Sequence, residues 1–307
     1  MVHYGGLSSL DLYSPFATGS VELVHSDFEQ LKVSKIEVRE VKCSSLLHSM
    51  SFGGYEEFTI NLYRGCTHGC VYCYAPSLIH DERSWGAYVD AKINAPSVLD
   101  RELRRAKKQV VFVSSASDPY QPVEAKYEIT RKVLNVLLKH DFPVLILTRS
   151  PLVLRDLDLL QQFKWVRVGF SISSVPTKSY EPGVPSLGKR LEAIKKLSES
   201  GITTWVSMAP LIPKLILTDL DTLFQRIKAS GVSTVTIGVL RFTGYEESRI
   251  MFEERTGKIS AEVMKDGAVT RQRIVKLAQA HGIDTNGDCL SWKNAENELQ
   301  SLERFGA

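Results

Sequence analysis

The stretch Arg64-Gly65-Cys66-Thr67-His68-Gly69-Cys70-Val71-Tyr72-Cys73-Tyr74 decides how the rest of the chain reads. It carries three of the chain's five cysteines, with three residues between Cys66 and Cys70 and two between Cys70 and Cys73. Three thiolates on one loop suit a compact soft-metal centre. A [4Fe–4S] cube normally takes four cysteine ligands, so three leave one iron open to a small chelating molecule. Zinc is the alternative, and it usually closes with two spaced pairs of Cys or His. His48, His68 and His80 are available as a fourth ligand, but none sits at a paired spacing. A disulfide framework agrees less well with a chain of this length and an odd number of cysteines.

Upstream of the loop, Phe58-Thr59-Ile60-Asn61-Leu62 alternates apolar and polar residues as a strand does. From there short β-branched runs alternate with segments of helical period, the pattern of βα units and a parallel sheet. The expected strands are Phe58–Leu62, Val110–Ser114, Val144–Thr148, Val166–Ser171, Thr203–Met208 and Thr234–Leu240. Between them a helix is expected over Ala125 to Lys139, with Ile129, Val133, Val136 and Leu137 on one stripe. A second spans Leu187 to Ser198, carrying Leu191, Ile194 and Leu197. Thr218 with Asp221 resembles a capping box at the head of a third helix, and Gly201 and Gly231 read as C-terminal stops. In such sheets the site lies beyond the carboxyl ends of the strands. The cysteine loop, directly after the first strand, sits at that face.

Composition bounds the rest. The 307 residues carry a formal net charge of +3, mildly basic and far from the footprint of a dedicated nucleic-acid binder. No apolar run approaches the roughly 20 residues that cross a bilayer, and the N-terminus has no secretory pattern, so no membrane association and a cytoplasmic location are expected. Residues 1–50 read as an N-terminal leader packing on the core, with an alternating strand over Val33 to Val41 and Cys43 as a small buried hydrophobe. Residues 51–243 carry the βα pattern. Residues 244–307 turn polar, apart from a helix from about Gly267 to His281 with Ile274, Val275, Leu277 and Ala278 inward, and read as an extension that closes the mouth or shapes substrate access.

The C-x3-C-x2-C spacing matches the radical S-adenosylmethionine enzymes. Further motifs are TINLYRGCTHGCVYCYA at the loop, SSASDPYQPVE at Ser114 to Glu124, LTRSPLVLRD at Leu147 to Asp156, EPGVPSLGKRLEAI at Glu181 to Ile194, GITTWVSMAPLIP at Gly201 to Pro213 and VLRF at Val239 to Phe242. On these the chain resembles the spore photoproduct lyase-like, or DNA repair photolyase-like, group of that superfamily over about Phe58 to Thr243. The resemblance implies an α/β fold, a partial (β/α)6 TIM-like barrel. It also implies a [4Fe–4S] cluster on Cys66, Cys70 and Cys73, with the amino and carboxylate groups of S-adenosylmethionine on the open iron.

The resemblance also assigns roles. Tyr72 matches the aromatic that packs on adenine. Ser117 and Asp118 match the polar contact to the methionine amino group, which needs acceptors. Arg149 matches a basic residue on the methionine carboxylate, which a guanidinium fork fits. Ser171 and Ser173 match ribose contacts, and Glu181 and Arg190 an acidic and a basic position near the methionine moiety. One position departs. In the lyase a cysteine two residues before the Ser-Asp pair returns a hydrogen atom to the substrate radical; here it is Ser115, whose O–H bond is too strong for that step. The tyrosine after the last cysteine is kept as Tyr74, so the hydrogen comes from Tyr74, from Cys43 or Cys289, or the closing step differs. Arg241, Tyr245 and Arg249 would line a groove for phosphate and bases. The resulting expectation is a DNA repair lyase acting on a damaged or cross-linked nucleobase, served by a low-potential electron donor such as flavodoxin or ferredoxin. The alternative is the same radical chemistry on RNA, a peptide or a small metabolite.

Overall fold

The computed structural model describes residues 14–20, 36–52, 55–173, 177–216, 219–287 and 296–300. In chain order the strands are β1 (Ser14–Ser20), β2 (Glu37–Lys42), β3 (His48–Phe52), β4 (Tyr55–Ile60), β5 (Tyr63–Arg64), β6 (Tyr88–Lys92), β7 (Val111–Val113), β8 (Val144–Thr148), β9 (Val166–Ser171), β10 (Thr203–Leu211) and β11 (Thr234–Val239). The helices are α1 (Pro76–Ile79), α2 (Ala95–Leu103), α3 (Glu124–Tyr127), α4 (Ile129–Lys139), α5 (Leu157–Leu160), α6 (Thr177–Tyr180), α7 (Leu187–Glu199), α8 (Leu220–Ala229), α9 (Glu246–Thr256), α10 (Ser260–Val263) and α11 (Gly267–Ala280).

All six strands expected from the βα pattern form. They lie side by side in chain order as β4-β7-β8-β9-β10-β11, every neighbouring pair parallel, with β3 added antiparallel to β4 at one edge. This is the sequential order of a (β/α)6 open barrel, which right-handed crossovers produce when each helix returns the chain to the next strand. The strands are apolar almost throughout because both faces are covered. On β8, Val144 and Ile146 belong to the main core with the helices, while Leu145 and Leu147 pack with Phe112, Trp165 and Trp205 on the other face.

Three local readings are corrected. The helix expected over 125–139 is two helices, because Glu128 turns left-handed at φ 51° and its N–H donates to the Glu124 carbonyl, closing α3. The buried Glu124 carboxylate then accepts from the backbone of Thr130 and Arg131 at the head of α4. At α8 the N-cap is Asp219, whose side chain accepts from the Thr222 N–H at 3.0 Å; Thr218 lies outside the described residues. The polar stretch after Arg241 holds α9, which Phe252 anchors against Phe242 and whose weak amphipathicity hid it from a periodicity reading.

A second sheet, β1-β2-β6-β5, was not expected. The strand placed over Val33 to Val41 is β2, which pairs in parallel with β6. Its Val38, and Cys43 and Leu46 beyond it, are buried in the main core. Cys43 is held by Asn94, whose Oδ1 accepts from its N–H at 2.9 Å and whose Nδ2 donates to its carbonyl at 2.9 Å. Among the described residues no helix is long and apolar enough to cross a membrane.

Candidate active site

The cysteine loop leaves β4 through β5 and runs across the carboxyl ends of the strands. Gly65 adopts φ +83° with its α-carbon against Tyr88, where a Cβ would meet the Tyr88 carbonyl at 2.4 Å, so only glycine fits the turn into Cys66. The fully buried Gln121 brackets that cysteine: its Oε1 accepts from Thr67 N–H at 3.0 Å and its Nε2 donates to the Gly65 carbonyl at 3.2 Å. His68 holds the next turn, with Nδ1 2.9 Å from the Gly183 carbonyl and Nε2 3.1 Å from Asp118 Oδ2. Gly183 N–H donates back to the His68 carbonyl at 3.0 Å. The approach is so close that a Cβ on Gly183 would meet the Thr67 carbonyl at 2.2 Å.

These contacts present Cys66 and Cys70 buried and Cys73 half-buried. Burial pushes all three thiols up, that of Cys70 to about 12 even with the Arg149 guanidinium opposing the shift. Metal coordination reverses that preference, because the thiolate is the ligand. His68 and His80, weighed as a fourth zinc ligand, instead face Gly183 with Asp118, and Glu247. Among the described residues no three His, Cys, Asp or Glu side chains gather as they would around a single ion.

Beyond the cysteines, four of the expected site residues converge on one carboxylate. Glu181, buried, accepts from the Tyr72 hydroxyl, from Ser173 Oγ at 2.7 Å and from Arg190 Nη2 at 3.4 Å, with Arg149 Nε 3.9 Å away. Arg190 also donates to the Ser171 carbonyl at 2.7 Å, and Ser171 Oγ to the Ala209 carbonyl at 3.3 Å. Burial and then the Glu181 charge hold the Tyr72 phenol well above its usual range. Burial works against the charge on Arg149, but the acidic surroundings, with the Glu181 and Asp118 carboxylates among them, outweigh it and hold the guanidinium above its ordinary value.

Asp118 stands somewhat apart in role. Its carboxylate accepts from Thr148 Oγ1 at 2.7 Å, Arg149 N–H at 2.7 Å and Tyr120 N–H at 2.9 Å, and faces His68. Burial raises its carboxyl, but His68 and these donors outweigh it and leave the group below its ordinary range. Neighbouring Ser117 keeps a buried Oγ with no partner, and Arg149 a buried Nε with no hydrogen bond. An unpaired hydroxyl and an unpaired guanidinium N–H beside the cysteine loop fit the amino and carboxylate groups of an amino acid.

Ser115 Oγ accepts from Thr59 Oγ1 at 3.0 Å and Asn61 Nδ2 at 3.1 Å, and its carbonyl accepts the Tyr74 hydroxyl. Tyr245, the N-cap of α9, packs on Tyr74 with ring centroids 5.7 Å apart. Arg241 is exposed, and Arg249 pairs with Glu246 and Glu253 on its own helix. Cys289 lies outside the described residues. Gln121, Asn61, Gly183 and the positioning role of His68 were missed by the sequence reading, although Gln121 and Gly183 stand inside motifs it quoted.

Residues 60–227 match the family model of the Radical SAM superfamily. The chain belongs to the radical SAM superfamily. An uncharacterized protein of Methanocaldococcus jannaschii is 36% identical over 188 residues, 60% of this chain and 71% of its own. The "Radical SAM Nalpha-GlyT isomerase" of Pseudomonas phage M6 is 24% identical over 219 residues, 70% of this chain but 43% of its own. Among solved structures, a spore photoproduct lyase variant with bound AdoMet and dinucleoside spore photoproduct shares the fold at a TM-score of 0.58 and 18% identity, covering 75% of this chain and 76% of that one. As a radical SAM enzyme the protein uses a [4Fe–4S] cluster and S-adenosylmethionine, and the three loop cysteines with the unpaired Ser117 and Arg149 atoms fit that pair. Bound together, the two supply a 5'-deoxyadenosyl radical.

Proposed function

We propose that this radical SAM enzyme is a lyase similar to spore photoproduct lyase that reverses a damaged or cross-linked nucleobase in DNA. The observation that carries the reading is the Tyr74 phenol resting on the Ser115 carbonyl, beside the position where the lyase has its thiol. Cys66, Cys70 and Cys73 hold the cluster. Ser117 and Arg149 take the methionine moiety, Tyr72 packs by the adenine, and Ser171, Ser173, Glu181 and Arg190 form the frame under the nucleoside. Asp118 acts one step back, fixing Arg149 through its N–H and the cysteine loop through His68.

A C–H bond of the lesion gives its hydrogen atom to the adenosyl radical, forming 5'-deoxyadenosine, and the cross-link fragments. The Tyr74 O–H gives a hydrogen atom to the product radical, and the phenoxyl radical left on Tyr74 is reduced by one electron from the low-potential donor together with one proton. Phenols can make that donation, whereas the Ser115 hydroxyl cannot. The wall opposite the cluster is α9, which sets Tyr245 on Tyr74 and Met251 against the apolar group of Cys66, Cys73 and Ala116. Arg241, exposed at the end of β11, is placed to meet phosphate, and a base in duplex DNA would have to be extruded to reach the cluster face. A nucleobase is favoured by the structural neighbour that binds a dinucleoside spore photoproduct. The setting is the cytoplasm, with flavodoxin or ferredoxin as electron donor.

The test is transfer of deuterium from labelled thymine cross-links in oligonucleotides into 5'-deoxyadenosine. Label appearing together with repaired product supports the reading. Cofactor cleavage without transfer from any oligonucleotide moves the activity to RNA, a peptide or a small metabolite.

A further inference from the structure

Trp85 lies in the loop between α1 and β6, buried to within 7% of full enclosure. It packs in one apolar group with Cys66 and Ala75, and Cys73, Ile79, Ala116 and Met251 close around that group. The loop is pinned on both sides of the indole. Arg255, near the end of α9, donates to the Trp85 carbonyl at 2.8 Å, and Gly86 presses on Gly69, where a Cβ would meet the Gly69 α-carbon at 3.0 Å. The ring itself stands edge-on to Tyr88 with centroids 6.5 Å apart. Nothing in this packing leaves the indole room to turn toward water.

Its Nε1–H is nonetheless buried and without a hydrogen-bond partner, Cys66 Sγ included. Trp165 and Trp205 also bury an Nε1–H without a partner, but in a separate apolar group; of these three, Trp85 is the one packed against the cysteine loop, so its acceptor is to be sought in what that loop holds. The apolar side chains it packs with are alkyl groups, a thioether and the cysteines, none of which offers oxygen or nitrogen. The acceptor chemistry that belongs beside Cys66 and Cys73 is sulfur carrying negative charge. Hydrogen bonds to cluster sulfurs are one of the levers that set an iron–sulfur potential.

We propose that the Trp85 indole N–H donates to a sulfur of the cluster held by Cys66 and Cys73, and that Trp85 thereby raises the cluster's reduction potential. The sign follows from charge: the reduced cluster is one unit more negative, so an N–H donor stabilises it more than the oxidised one. Trp85 acts here through the cluster, as a positioning and tuning residue.

The full-length chain, reconstituted anaerobically with indole-15N tryptophan and reduced with dithionite, is examined by pulsed electron paramagnetic resonance. A 15N hyperfine coupling to the reduced cluster is expected, kept in Trp165→Phe, whose indole packs in the separate apolar group of Val110, Leu145 and Trp205, and lost in Trp85→Phe. A redox titration reads the tuning. Trp85→Phe at wild-type iron content is expected to weaken the reduction equilibrium by about tenfold, which for one electron is a fall of about 59 mV. No 15N coupling in the loaded, reduced wild type overturns the proposal, whether or not the variant folds. So does an unchanged potential in a fully loaded Trp85→Phe.

Discussion

Tyr74 and Tyr245 stand with ring centroids 5.7 Å apart and planes at 49°, which brings the residue after the last cysteine against the N-cap of α9. Tyr74 is held from its other end by the Ser115 carbonyl. The ring is therefore fixed twice, once by its edge and once by its hydroxyl. Tyr74→Phe should keep the ring contact and lose the O–H. In the proposed reaction, cofactor cleavage then continues while repaired product falls, raising cofactor cleaved per product by at least about tenfold, as expected for a group used in the chemical step and not in binding. Tyr245→Phe should leave that ratio alone. Chromatographic quantification of 5'-deoxyadenosine and product checks both, and equal ratios for wild type and Tyr74→Phe would rule out Tyr74 as the hydrogen donor.

Glu181 is the acceptor shared by Tyr72, Ser173 and Arg190. Removing it takes a carboxylate partner from the buried Arg190 guanidinium and the acceptor from two hydroxyls. Glu181→Ala should destabilise the apoprotein by about 3–5 kcal/mol, the range for breaking a buried ion pair from one side. Urea unfolding gives the number, and a loss below about 1 kcal/mol would show that solvent reaches the pair.

Gly183 has no room for a methyl group, because its Cβ would come 2.2 Å from the Thr67 carbonyl and 2.9 Å from the His68 α-carbon. Both neighbours are backbone of the cysteine loop and cannot turn aside as a side chain can. Gly183→Ala should therefore shift Cys66 and Cys70 and reduce iron bound per chain after reconstitution. Iron and sulfide analysis decides it, with Gly188→Ala, where a Cβ meets nothing within 4 Å, as the control.

Asp118 carries a pH signature. Its folded-state carboxyl lies below the ordinary range, since His68 and the Thr148 and Tyr120 donors outweigh the effect of burial. A depressed acid contributes stability that is in place above its unfolded value of about 3.9 and is lost as pH falls through the folded value. Asp118→Asn should lose that acid limb, so wild type and variant converge in stability as the pH drops below about 4. Urea midpoints of the apoprotein across that range test it; parallel curves would mean that Asp118 is not the titrating group.

The sequence by itself determined what is local and periodic. Six parallel strands were legible because strands buried on both faces must be short apolar runs, and the cysteine triad was legible because its three thiols stand on one loop. Only the tertiary structure decided what depends on residues meeting from afar. The sheet β1-β2-β6-β5 is built by pairing β2 with a strand some fifty residues on, Glu37 against Tyr88, and pairing of that kind leaves no period in the chain. α9 buries little apart from Ser248 and Phe252, too few positions to print a helical stripe, yet it sets Met251 and Tyr245 against the cysteine loop. Glu181 and Asp118 could be named from motifs, but their roles as hubs come from donors on the cysteine loop, β8 and α7 converging in a medium where an unpaired charge is expensive. Gln121, Gly183 and Trp85 act through distances of a few ångström on a loop distant in sequence, as far as Gly183 is from Thr67, and that is geometry no one-dimensional pattern records.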